Sequence, residues 1–130
     1  MWSEVHGETF THRFTRALRD GSIVEGKLPA ATRCLEVDGV RGWLYPVSSA
    51  LGDAFELFLY FDGSAYQVKV VRPVVERRAD PHACHLFGDG RICFGEPAEG
   101  GMPTLEAAYA KSVVWCSGFS AYARTGRFPF

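Results

Sequence analysis

Ala54-Phe55-Glu56-Leu57-Phe58-Leu59-Tyr60-Phe61-Asp62-Gly63-Ser64-Ala65-Tyr66-Gln67-Val68-Lys69-Val70-Val71 has the pattern of two strands joined by a turn. Aromatic and β-branched residues fill both runs, as a pleated, half-buried surface requires. Asp62-Gly63-Ser64 between them tolerates a sharp reversal. Upstream, Thr32 to Val37, an Asp38-Gly39 turn and Arg41 to Val47 repeat the arrangement. Together these runs predict a four-stranded antiparallel meander. Arg72-Pro73 begins to break it, because proline has no N–H to give to a ladder.

On both sides of the meander the period becomes helical. In residues 9 to 20, Phe10, Phe14, Ala17 and Leu18 share one face, and Gly21 is expected to stop the helix. Arg13, Arg16 and Arg19 recur on the other side. Near the C-terminus Thr104 is the predicted cap of a helix with an apolar stripe of Leu105, Ala108, Tyr109, Val113, Cys116, Phe119 and Ala123. Gly126 is its predicted left-handed stop. From Val74 to Met102 the chain holds five glycines and two prolines, and a connection of that length usually marks a functional loop. The expected architecture is α+β: an N-terminal helix, the meander, a long active-site loop and a C-terminal helix. No repeat or linker divides residues 1–130, so one domain is expected.

Bulk properties narrow the function classes. The chain of 130 residues is 47% hydrophobic, enough for one sizeable core. A net charge of −1 gives no electrostatic footprint for nucleic acid or an anionic membrane. No apolar run approaches the roughly 18 residues of a membrane span. The N-terminus lacks a signal-peptide pattern. A cytoplasmic setting is the expectation, and Cys34, Cys84, Cys93 and Cys116 are then free thiols. Lys27, Lys69 and Lys111 are the only lysines. Arginine-favouring codon usage explains this bias most simply.

Chemistry concentrates in His85-Leu86-Phe87-Gly88-Asp89-Gly90-Arg91-Ile92-Cys93-Phe94-Gly95. A nucleophilic thiol needs partial exposure and a fixed backbone. A turn at Asp89-Gly90 followed by a short extended run can supply both, with Ile92 and Phe94 facing inward and Cys93 outward. Against this, a free cysteine is commonly a small buried hydrophobe. Cys34, in a strand, and Cys116, on the apolar stripe, are expected in the core.

These residues resemble a known family. His85-Leu86-Phe87, then Asp89-Gly90-Arg91-Ile92-Cys93-Phe94, then a helix with Trp115 closing on Thr125-Gly126-Arg127-Phe128-Pro129, look like the prokaryotic ubiquitin-conjugating enzymes. The resemblance covers residues 85 to 130 most specifically. It implies a UBC-like fold and a transferase that takes a ubiquitin-like modifier from an activating enzyme as a thioester on Cys93. The modifier then passes to an amine of a protein target. Such enzymes often serve antiphage defence. The resemblance also implies that the first helix, with Arg13, Arg16 and Arg19, meets the activating enzyme. Metal and organic cofactors are not required. One departure stands out: eukaryotic members carry His-Pro-Asn before the cysteine, and the Asn helps bind the oxyanion. Here Leu86 and Phe87 follow His85, and the chain contains no Asn. Backbone N–H groups after Cys93 or a nearby polar side chain must then serve.

Each further candidate has a plainer role beside the functional one. His85 fits a loop anchor better than a general base, since transthioesterification exchanges one thiolate for another. Asp89 is first a turn residue, and second a group that orients an incoming amine. Trp115 is expected to pack. The helix-one arginines are either a solvated face or a docking surface. His82, Cys84, His85 and Cys93 could in principle bind zinc in a small regulatory domain, but adjacent Cys84 and His85 suit paired-ligand spacing poorly. An inactive UBC-like module that binds a ubiquitin-like protein is the other alternative.

Overall fold

The computed structural model describes residues 9–75, 83–95 and 101–129. Its elements run α1 (Phe10–Lys27), β1 (Arg33–Val37), β2 (Val40–Ser48), β3 (Ala54–Phe61), β4 (Tyr66–Arg72) and α2 (Leu105–Thr125). The protein is α+β, and its four strands form one antiparallel sheet in sequence order, as the turn spacing predicts. His82 lies outside the described residues.

Register sorts the strands into two faces. Tyr45 pairs with Leu57 and Leu57 with Val70, while Trp43 pairs with Leu59 and Leu59 with Val68. Side chains alternate along a strand, so these residues share the face that carries the core. Helix α2 lies on that face. Phe55 meets Trp115 and Phe119 edge to face at 6.1 Å each, and Tyr45 meets Tyr109 at 5.3 Å. Two polar ties accompany this packing: Tyr45 Oη lies 2.7 Å from Ser112 Oγ, and Ser120 Oγ donates to Ser49 Oγ at 2.6 Å. Burial of the Tyr45 phenol pushes its pKa well above the ordinary range. Thr104 caps α2 through Ala107 N–H at 3.2 Å, and Gly126 ends it at φ +78°. Ala123 is exposed, whereas Ser112 and Ser120 are buried in its place.

Helix α1 departs from expectation in length and in face. It continues through Gly21 and Gly26 to Lys27. The extra turns carry Ile23 and Val24, which pack on the core, and Leu28 behind them is buried. These residues set the inward face. Phe14 and Leu18 consequently point away, 59% and 63% exposed. The inward face further up the helix is polar. Asp20, 1% exposed, accepts from Tyr66 Oη at 2.6 Å, and Arg16 stacks over Phe61 at 4.0 Å. Cys34 is also a correction: it is exposed, because β1 is the edge strand and pairs only with β2.

Candidate active site

Past β4, the chain returns as a small hairpin. Leu86 bridges Ile92, Phe87 N–H donates to Arg91 O at 2.8 Å, and Cys93 N–H donates to His85 O at 2.8 Å. Its second arm also pairs with the free edge of β4: Ile92 N–H donates to Val68 O at 2.9 Å, and Val70 N–H to Gly90 O at 3.0 Å. Gly90 takes φ +90°, which a side chain would oppose. Asp89 accepts from Arg91 N–H at 3.1 Å and from Arg91 Nε at 2.9 Å. Partial burial disfavours this carboxylate, yet Arg91's hydrogen bonds outweigh it and hold the pKa below the usual value. Arg91 in turn lies over the Phe87 ring at 4.5 Å. Asp89 thus locks the turn.

The hairpin fixes Cys93 without burying it. Ile92 is buried, and Cys93 and Phe94 are half-buried. A groove of about 240 Å³ opens beside the thiol, lined by His85, Phe94, Lys111, Val114, Trp115 and Phe128 among others. The four cysteines therefore differ. Cys84 and Cys116 are buried, and burial pushes the Cys116 thiol up to about 12. Cys34 is exposed on an edge strand. Cys93 alone lines this groove.

His85 begins the hairpin at φ +57°, a left-handed conformation in which histidine is more common than most residues. Its carbonyl holds Cys93 N–H, its side chain is exposed, and its ring meets Phe128 edge-on at 4.9 Å. The residue before it is tied by a group that no local sequence signal selects. Trp115 Nε1 donates to Cys84 O at 2.8 Å across 31 positions. Trp115 packs, as expected, and also anchors the loop. Lys111 carries no such signal either, although its place four residues before Trp115 puts both on one face of a helix.

The structure brings together His85 and Cys93 and leaves the other candidates elsewhere. Asp89 does not line the groove. Arg16 and Arg19 approach Asp20 at 3.6 and 3.7 Å. Arg13 borders a separate cleft of about 590 Å³ between α1 and the β1–β2 turn, lined also by Arg41, Trp43 and Phe61. That cleft is larger but contains no thiol. Among the described residues no cluster of three His, Cys, Asp or Glu could hold a metal ion. Among them, too, no helix is long and apolar enough to cross a membrane. Compared with known proteins, the chain matches no family model, no curated protein and no solved structure.

Proposed function

We propose that this chain is a bacterial ubiquitin-conjugating-type enzyme with a UBC-like fold, acting in the cytoplasm, with antiphage defence its setting. The observation that carries the reading is Cys93: half-buried on a groove, with its own N–H and that of Ile92 both hydrogen-bonded. Such a residue has a fixed backbone while its thiol stays partly exposed to an incoming acyl donor.

In the first step the Cys93 thiolate attacks the activated C-terminal carbonyl of a ubiquitin-like modifier. The thiolate of the activating enzyme leaves. In the second step a target amine attacks the Cys93 thioester, the C–S bond breaks and the amine proton passes to solvent or a base. Positioning and oxyanion stabilisation are the protein's contributions, since the acyl group arrives activated. His85 belongs to the loop's framework through its carbonyl. Docking of the activating enzyme falls to α1, where Phe14 and Leu18 are exposed on one face and Arg13 and Arg19 are exposed beside it. Arg16, engaged with Phe61, drops out of that surface.

The test is incubation with an activating enzyme, its modifier and ATP, followed by non-reducing electrophoresis. A reductant-sensitive adduct supports the reading. Stable binding of modifier without any adduct supports the inactive-module alternative.

A further inference from the structure

The tetrahedral intermediate in this chemistry places a negative charge on the former carbonyl oxygen, next to Cys93. Lys111, Val114 and Trp115 occupy positions i, i+3 and i+4 of α2, and all three line the Cys93 groove. Arg91, on the hairpin itself, is engaged with Asp89 at 2.9 Å, and Arg127, beside Phe128, is exposed and does not line the groove. Lys111 forms no ion pair among the described residues, so its charge is available to the groove. Phe94, Val114, Trp115 and Phe128 form apolar walls around the same space. Lys111 is exposed and Val114 is 52% exposed, so these walls flank the ammonium at the groove's rim without closing it off from water.

Resting on the thioester reading, we propose that Lys111 is a catalytic residue: its ammonium stabilises the oxyanion formed at Cys93. An ammonium carries three N–H donors on a four-carbon stem, and it needs no further ordering of the loop to reach along the groove. While protonated it cannot itself act as the acceptor amine. The chemistry it serves is the addition step in both half-reactions, because each passes through the same oxygen.

A small ester tests this without any partner protein. In a Cys34→Ser background, p-nitrophenyl acetate acylates Cys93: the S–C bond forms, p-nitrophenolate leaves, and the thiol proton goes to buffer. Cys93→Ala provides the blank. Iodoacetamide alkylates the same thiol through a displacement that forms no oxyanion, so it reports thiolate availability alone. Lys111→Gln is expected to lower acylation about tenfold or more relative to alkylation, and Lys111→Arg to keep most of the rate. Equal changes in the two reactions, or none, overturn the proposal. With modifier present, Lys111→Gln is expected to slow both loading and discharge, with Lys111→Arg near wild type. Modifier recovered on Lys111 itself, with Lys111→Arg as defective as Lys111→Gln, assigns the residue as an acceptor and overturns it as well. A wild-type protein that loads no modifier contradicts the proposed function, while the acylation-to-alkylation ratio still decides the role of Lys111.

Discussion

Trp115→Phe isolates the tie between α2 and the start of the Cys93 hairpin. The substitution keeps an aromatic ring against Phe55 and Phe119 but removes the Nε1–H that Cys84 O accepts at 2.8 Å. Trp115 is 4% exposed, so water cannot readily replace the lost donor. Loss of a buried hydrogen-bond partner costs about 1–3 kcal/mol. The smaller ring leaves a void of roughly 40 Å³, worth about 1 kcal/mol more. A total of about 2–4 kcal/mol corresponds to a fall in Tm on the order of 8–15 °C for a domain of this size. Thermal melts measure the loss, and iodoacetamide labelling localises it: Cys84, buried in the native protein, is expected to become reactive first. A Tm drop below about 2 °C with Cys84 still protected would refute the claim that this bond holds the loop.

Three more outcomes follow from described contacts. Arg124 reaches the Asp53 carboxylate through Nη1 at 2.6 Å and Nη2 at 3.3 Å, and with Ser120 it holds the Asp53 pKa below the ordinary 3.8. A carboxylate depressed in the folded state stabilises above its unfolded pKa and loses that contribution as pH falls through its folded one. Acid titration of stability should therefore be shallower below about pH 4 in Arg124→Gln. Arg13→Glu should leave Tm unchanged and slow loading at low salt, whereas Arg16→Glu should cost on the order of 1 kcal/mol through its stacking on Phe61. Equal melts for the two variants would contradict that division. Native-state alkylation at neutral pH should label Cys34 and Cys93 and spare Cys116, whose burial raises its thiol to about 12; rapid labelling of Cys116 would mean that α2 does not seal the core.

The strand pattern was legible because its signals are local. Alternation and turn residues such as Asp62-Gly63-Ser64 act within a few positions, and β3 came out at Ala54–Phe61 as the sequence predicts. Thr104 and Gly126 were legible for the same reason. Helix α1 runs past the stop expected at Gly21 because a glycine weakens a helix without ending it. A helix ending at Gly21 leaves out Ile23 and Val24, which decide the inward face and turn Phe14 and Leu18 to solvent. Cys34 carried a core-like pattern, but exposure of an edge strand depends on what covers it. At the site, the Asp89-Gly90 turn and half-exposure of Cys93 could be anticipated from neighbours. Trp115 on Cys84 O and Lys111 at the groove could not, since both depend on how α2 docks against a hairpin more than ten positions upstream of it.

Cys93, and no other thiol, is proposed to carry the modifier. Wild type, Cys93→Ala, Cys93→Ser, Cys84→Ala and a Cys34→Ser, Cys116→Ser double variant can be loaded side by side with activating enzyme, modifier and ATP. Intact-mass spectrometry with and without reductant then reads the adduct. A reductant-sensitive adduct is expected in wild type, Cys84→Ala and the double variant, none in Cys93→Ala, and a reductant-resistant ester in Cys93→Ser. An adduct that survives Cys93→Ala and disappears in Cys84→Ala would contradict it.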